Sequence, residues 1–485
     1  MDRKTIFDKT ADLRRSDYFS SPGVPLISPG DVLSPQFLRD DLFLPSLGEL
    51  DVVRHYSNLA KLNFSVDTNF YPLGSCTMKY NPKINESMSS LEGFTSIHPY
   101  QREDMTQGAL ELLYDLEQKL CEITGMKRFT LQPSSGAQGE LAGMLMIRKF
   151  HELMGNKKNK VIIPDSAHGT NPATASMCGY DTLVIDSNSQ GLIDIEKLRS
   201  MVDDKVAAIM LTNPNTLGLF EENILEISNI IHNKGGLLYY DGANLNPLLG
   251  IVKPASMGFD VVHLNFHKTF STPHGCGGPG AGVVGVGDIL KDFLPVPLVN
   301  KKNDKFYLDY EIKNSIGKVR TFYGNFNVLV KAYTYILRLG RDGLLRVAQN
   351  SVLNSRYLKE KLKKYYELAY IKDCMHEVVF TCEKQKERGA SALDISKRLI
   401  DFNIHPPTMY FPLIVKEALM IEPTETESKE TLDNFIQIMI EINKEIDVSL
   451  EKLKNSPLTT ILKRVDEVNV ARNPKVRWIK DKKSI

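Results

Sequence analysis

Apolar positions along this chain change period as they go, and the changes mark its elements. Between residues 105 and 125, Ala109, Leu112, Leu113, Leu116, Leu120 and Ile123 recur at helical spacing, and Thr124-Gly125 closes the run. That pattern predicts an amphipathic helix with a glycine stop. After "QPSSGAQGE" (132–140) a second helix is expected, with Leu141, Met144, Leu145 and Met154 on its apolar side. Short continuous apolar runs follow: "VIIP" (161–164), "TLVID" (182–186), "VAAIMLT" (206–212), "GLLYYD" (236–241) and "VVHLNF" (261–266). An amphipathic stretch, "EENILEISNIIHNKG", separates the third from the fourth. Strands alternating with helices at this spacing predict an α/β fold with a mostly parallel, doubly wound sheet. Ligands of such sheets sit at the carboxyl ends of the strands. Asn213, Asp241 and Lys268 fall at that edge.

The flanks read differently. The first ninety-odd residues are rich in Pro, Ser, Asp and Asn with few periodic segments, which suggests an extended arm over residues 1–95 that wraps a partner or the main domain. A large domain is expected over 96–330. From Val328 a helix-rich stretch leads to a strand in "HEVVFTC" and helices near 391–402 and 428–453, a smaller C-terminal α+β domain over 331–485. The tail "ARNPKVRWIKDKK" is basic and carries Trp478, the only tryptophan.

Composition adds exclusions. With 485 residues the chain needs more than one core. A net charge of +1 gives no global field that would attract nucleic acid or an anionic membrane, and no apolar run reaches transmembrane length. The opening "MDRKTIFDKTADLRRS" lacks an apolar segment and contains acids, so no targeting peptide is expected. Cys76, Cys121, Cys178, Cys276, Cys374 and Cys382 show no CxxC spacing; they suit a reducing cytosol and give no metal site.

Candidate chemistry centres on "HLNFHKTFSTPHGCGGPGAG", which sets Lys268 between a strand and a loop of small residues. An amine attacks an aldehyde only when neutral, and a shielded pocket favours that form. Asp241 ends an apolar strand before Gly242 and Ala243; a carboxylate there needs a cation, such as a protonated pyridine nitrogen, and Ala243 would let a flat ring lie against the strand end. Taken singly, a surface lysine and a helix-capping aspartate explain the same letters. Ser134, Ser135, Gly136 and Ala137 open the second helix, where backbone N–H groups could meet a phosphate, although a serine cap reads the same way. His168 in "DSAHGTNPATAS" could stack on a planar ring, and Asn213 could hydrogen-bond a phenolic oxygen. Together these five features describe pyridoxal phosphate. A dinucleotide fingerprint is rejected: "GCGGPG" (275–280) contains Pro279, and "AGVVGVGD" after it is a poor helix start.

With these strings, "YPLGSCTMKYNPK" (71–83), "LTNPNTLGLFE", "YYDGANLN", "NFHKTFSTPHG", "YGNFNVLV", "MHEVVFT", "HPPTMYFPL" and "EPTETESKE", the chain resembles the glycine decarboxylase family, the P-protein of the glycine cleavage system. The resemblance runs from about residue 20 to the C-terminus, and the length looks like the split bacterial form, in which the C-terminal half is a separate subunit 2. It implies a fold type I pyridoxal-phosphate enzyme that decarboxylates glycine and transfers the aminomethyl group to the lipoyl arm of the H-protein. It further implies Lys268 as the Schiff-base lysine, Asp241 as ring-nitrogen partner and His168 as stacking ring. Ser135, Gly136 and Ala137 would hold the phosphate, with Asn265 and His267. Subunit 1 is the implied partner, two copies of each by analogy, in the cytoplasm. His98, Tyr100 and Arg320 are candidates for the glycine carboxylate, and the arm and basic tail for the H-protein surface. The sequence departs from the family's unbroken glycine run at Cys276. Readings left open beside this one are another fold type I enzyme, an amino-acid decarboxylase or aminotransferase, and a non-catalytic subunit.

Overall fold

The computed structural model describes residues 4–10, 23–39, 42, 44–274 and 280–478. The chain forms two compact units, Met1–Ser65 and Val66–Ile485. The first contains the helix Glu49–Ala60, whose Leu50, Val53, Tyr56 and Leu59 are exposed. The division falls after residue 65 rather than at 95, because Phe70, Ser75, Thr77 and Lys79 are buried and hydrogen bonds from Ser75, Thr77 and Lys79 tie this segment into the second unit.

That unit is built on a seven-stranded sheet. Its strands are β1 (Arg128–Thr130), β2 (Lys160–Pro164), β3 (Asp181–Ile185), β4 (Val206–Thr212), β5 (Leu237–Gly242), β6 (Val261–Asn265) and β7 (Gly282–Val286). Their order is β1-β7-β6-β5-β4-β2-β3. The five from β2 to β6 run parallel to their neighbours, and β7 pairs antiparallel with both β6 and β1. All residues of β4, β5 and β6 are buried, as in a parallel sheet covered on both faces. The expected strands lie within one residue of these bounds. Strands β1 and β7 had no sequence signal of their own: one is three residues long and the other is broken by glycine. That glycine matters, since a Cβ on Gly282 would come 1.9 Å from the Ser135 carbonyl. The helix Gly136–Leu153 therefore starts directly over the end of β7.

A hairpin of β8 (Leu298–Lys302) and β9 (Lys305–Asp309) lies outside the main sheet. The smaller domain is an antiparallel sheet of β10 (Glu367–Leu368), β11 (Val378–Thr381), β12 (Thr408–Met409) and β13 (Ala418–Ile421), ordered β10-β11-β13-β12. Helices Ala392–Asp401 and Lys429–Val448 contribute Ile395, Leu399, Phe435 and Ile442 to a core with Phe380 and Leu419. The expected boundary at 330 falls inside the long helix Phe326–Leu362, which breaks at Gly340 (φ 59°, ψ −168°).

Residues 71–80 form a strap across the two domains. Leu73 bridges to Ile421 beside β13, and the Tyr80 carbonyl accepts from the Ser271 hydroxyl. Between them Lys79 is buried. Its Nζ donates to Glu425 Oε1 at 2.7 Å, the Thr269 carbonyl at 2.9 Å, Asn246 Oδ1 at 3.1 Å and the Tyr335 hydroxyl at 3.2 Å. Burial alone would lower the Lys79 pKa, but Glu425 and Tyr335 outweigh it and hold it above the ordinary value. Lys79→Met should destabilise the fold by about 3–5 kcal/mol, because it strands the Glu425 carboxylate. The double variant Lys79→Met/Glu425→Leu should cost less than Lys79→Met alone. Urea unfolding of wild type and the two variants tests this, and a double variant that loses as much stability as Lys79→Met, or more, would contradict it.

Candidate active site

The sheet's topology brings the two principal residues together. Strand β5 ends at Asp241-Gly242, and its neighbour β6 runs parallel with His263 in register with Asp241. Beyond β6 the chain turns, the Lys268 N–H donating to the Asn265 carbonyl at 3.1 Å. Lys268 Nζ then donates to the Ser75 carbonyl of the strap at 2.7 Å.

Asp241 is only 1 % exposed, so how it stays ionised is the site's first problem. Its Oδ1 accepts from the Ala243 N–H at 3.0 Å and lies 3.3 Å from His263 Nε2, while Oδ2 accepts from Asn171 Nδ2 at 3.3 Å. Burial pushes its pKa up, but His263, His168, the Ala243 amide and Lys268 together pull it below the usual carboxylate value. His263 is fully buried and its pKa is lowered, chiefly by burial. Its Nδ1 lies 2.7 Å from the Tyr239 hydroxyl. The neutral ring thus lies beside Asp241 with its Nδ1 fixed by the Tyr239 hydroxyl. Neither His263 nor Tyr239 was singled out from sequence. Their signal was alternation: Tyr239 and Asp241 share one face of β5, and His263 faces them from β6.

Glu140, one turn into the helix Gly136–Leu153, was also missed, although it ends the quoted "QPSSGAQGE". It accepts from the Thr170 hydroxyl at 3.0 Å and the Thr174 hydroxyl at 3.4 Å. Ligand atoms of Glu140, Asp241 and His263 all lie within 4.8 Å of one another. Burial and the neighbouring Asp241 raise the Glu140 pKa to about 8. The donors around Asp241 thus favour its charged form, while burial and Asp241 favour the protonated form of Glu140.

The other end of the site is polar and narrow. Ser135 Oγ accepts from the Gln138 N–H at 3.2 Å and caps the eighteen-residue helix, and Ser135 and Ala137 are exposed there. A Cβ on Gly136 would meet Asn265 Oδ1 at 2.3 Å, so only glycine lets that helix end and the tip of β6 approach. Asn265 Oδ1 is buried and has no hydrogen-bond partner. A Cβ on Gly280 would lie 3.3 Å from the Ser134 carbonyl and 3.6 Å from His267 Nδ1, which places His267 at the same end. Burial, Lys268 and His274 lower the His267 pKa to about 3. Cys276 and most of the glycine run lie outside the described residues.

His168 lies beside Ser75, Nε2 to Oγ 2.8 Å, and one of its faces stacks on Phe411 at 5.3 Å and 13°. Burial lowers its pKa to about 4, leaving a neutral ring. Ala243 is buried beside Asp241. Asn213 is placed otherwise: its Oδ1 accepts from the Glu221 N–H at 2.9 Å, and its Nδ2 faces the Glu221 carbonyl at 3.5 Å and Met257 Sδ at 3.7 Å. It builds its own loop, and the structure gives it no contact with Asp241 or Lys268. Arg320 donates from Nη1 to Asn325 Oδ1 at 2.8 Å, and Asn325 Nδ2 donates to the Gly280 carbonyl. Its buried Nε has no partner. Tyr100 donates to the Thr321 carbonyl at 2.8 Å and lies with His98 against Phe322.

These residues fit pyridoxal phosphate. A buried carboxylate suits its pyridinium nitrogen, and a primary amine after the adjacent strand suits its aldehyde. A helix N-terminus opened by glycine, beside the unpartnered Asn265 oxygen and neutral His267, suits its phosphate. The fold matches solved structures of this kind. A crystal structure of glycine decarboxylase (P-protein) of the glycine cleavage system, in inhibitor-bound form, aligns with a TM-score of 0.73 at 19 % identity, over 86 % of this chain and 95 % of that one. A Lactobacillus brevis glutamate decarboxylase aligns with a TM-score of 0.65 at 13 % identity, over 87 % and 97 %. Fold and site together define a fold type I pyridoxal-phosphate enzyme. In sequence, residues 34–307 match the family described as glycine cleavage system P-protein, and residues 347–464 match the glycine dehydrogenase C-terminal domain. A probable glycine dehydrogenase (decarboxylating) subunit 2 of Caldanaerobacter subterraneus is 59 % identical over 452 residues, 93 % of each chain. One from Bacillus licheniformis is 53 % identical over 99 % of each chain. The chain belongs to the glycine cleavage system P-protein family.

The Glu140 proton has a measurable sign. In the unfolded chain this carboxyl loses its proton near the ordinary glutamate value, whereas the fold keeps it up to about 8. Folding therefore takes up a proton between those values, and stability from this group falls as pH rises through that window. In cofactor-free protein, Glu140→Gln should flatten the decline in urea midpoint between acidic and mildly alkaline pH. An unchanged slope would place the proton elsewhere.

Proposed function

We infer that this chain is the cofactor-bearing subunit 2 of a two-subunit glycine dehydrogenase (decarboxylating). It removes the carboxyl group of glycine and passes the aminomethyl group to the lipoyl arm of the H-protein. The observation that carries this reading is the pairing of a buried, multiply hydrogen-bonded Asp241 at the end of β5 with Lys268 just beyond the end of β6. A non-catalytic subunit would have no use for the pair. An aminotransferase or another decarboxylase shares the fold but not the strap "YPLGSCTMKYNP", which here supplies the acceptor for Lys268.

Pyridoxal phosphate, when bound, supplies the electron sink for the bond that breaks as carbon dioxide leaves glycine. Asp241 holds the proton on the ring nitrogen, and His263 and Tyr239 hold Asp241. Lys268, whose Nζ lies at the Ser75 carbonyl, would supply the primary amine for the cofactor's aldehyde. Ser135, Gly136 and Ala137 present the helix N-terminus to the phosphate, with Asn265 and His267 beside it. His168, backed by Phe411, would offer its other face to the ring. Arg320, with an unpartnered Nε at the Gly280 end, is the chain's candidate for the glycine carboxylate, and His98 and Tyr100 lie on neighbouring segments. The partner is subunit 1, two copies of each, and the setting is the cytoplasm. The exposed apolar residues of the helix Glu49–Ala60 offer one docking surface.

Two variants test the assignment in the complex reconstituted with subunit 1 and H-protein. Lys268→Ala should abolish both the visible cofactor absorption and exchange of the glycine carboxyl with bicarbonate. Asp241→Asn should retain the cofactor on Lys268 but lower exchange by on the order of a hundredfold or more, as for loss of a charge aimed at the reacting system. A wild-type spectrum in Lys268→Ala would exclude the reading.

A further inference from the structure

The strap's middle residues adopt a conformation their side chains do not favour. Ser75 has φ 64° and Thr77 φ 43°, both in the left-handed region, where a β-branched residue is a genuine outlier. Such strain persists only where surroundings over-determine it. Here two buried glutamates do so. Glu377 Oε2 accepts the Ser75 N–H at 2.8 Å; Glu422 accepts the Thr77 N–H at 3.1 Å on Oε2 and its hydroxyl at 2.6 Å on Oε1. The two carboxyl groups flank adjacent strands, Glu377 directly before β11 and Glu422 directly after β13, where Val378 and Ile421 are paired. Both glutamates are 0 % exposed, and so is His376 between them, its Nε2 at 4.0 Å from each.

All three polar groups of Ser75 are committed. The N–H goes to Glu377, the hydroxyl to His168 and the carbonyl to Lys268 Nζ. An extended Ser75 would turn its peptide planes and could not make the three contacts at once. Lys79, bound to the carbonyl of Thr269, fixes the residue after Lys268 from the other side.

We propose that the Ser75–Thr77 turn is the acceptor that holds the Lys268 amine whenever it is not bonded to the cofactor, and that Glu377 is the positioning residue that keeps the Ser75 carbonyl there. This rests on Lys268 being the cofactor's lysine. The small domain thereby reaches the catalytic amine through one peptide unit. A free amine held at the Ser75 carbonyl is kept from re-attacking while glycine occupies its place.

The test uses the full-length chain in two steps. Borohydride reduction of the holoenzyme and peptide mapping first locate the cofactor's lysine. A brief acetic anhydride pulse on the cofactor-free chain, read by mass spectrometry, then compares Lys268 acetylation with that of the surface lysines. Glu377→Ala and Ser75→Val, which disfavours the left-handed turn, should each raise Lys268 acetylation by about tenfold, as expected when one charge-assisted hydrogen bond is lost. Glu377→Gln, which keeps an acceptor oxygen, and Ser75→Gly, which allows the turn, should stay near the wild-type rate. If Glu377→Ala does not fold, the two Ser75 variants decide alone. Wild-type acetylation in Ser75→Val, with the reduced tag on Lys268, would overturn the proposal but leave the function standing. A tag on another lysine would remove both.

Discussion

A carboxylate at the tip of a central strand loses nearly all its hydration, and an unpaired charge there would neutralise itself by taking a proton. Asp241 avoids this through a layered set of partners. The Ala243 amide and Asn171 donate to it, His263 lies against it, and Tyr239 orients His263. Glu140 completes the arrangement by carrying the proton that Asp241 does not. The division of labour follows from position: Glu140 has only threonine hydroxyls as donors, whereas Asp241 has an amide, a side-chain amide and an imidazole. Two carboxyls so close cannot both ionise in this interior, and the better-donated one keeps the charge.

Around that charge the fold places everything else by register. Parallel pairing of β5 with β6 sets His263 opposite Asp241, and the turn after β6 sets Lys268. Glycines at 136 and 282 let the helix Gly136–Leu153 start where the strands end. From the opposite side the small domain's two glutamates hold the strap against the lysine. The site is therefore assembled from three segments far apart in sequence: the sheet tips, the strap and the ends of β11 and β13.

Much of this was legible in the chain. The buried strands β2 to β6 announced themselves as apolar runs, and Asp241 and Lys268 stood out because polar residues ended those runs. What stayed hidden was hidden for physical reasons. Strand β7 has too little side chain to show a period, and β1 is too short. His263 and Glu140 sit inside elements whose periodicity they interrupt only once, so nothing local marks them. Asn213 at the end of β4 has a second role that its strand-end position does not show: its amide oxygen closes the loop onto Glu221. The arm was read thirty residues too long, from 95 back to 65, because a strap held by long-range hydrogen bonds has no periodicity to distinguish it from an extended tail.

On the proposed function, Asp241 stays ionised and keeps the cofactor's ring nitrogen protonated. The most direct measurement is the nitrogen-15 chemical shift of the ring in holoenzyme loaded with pyridoxal phosphate labelled at that atom. A pyridinium shift from mildly acidic to mildly alkaline pH, lost in Asp241→Asn, is the expected result. A neutral pyridine shift in the wild-type enzyme would contradict the account.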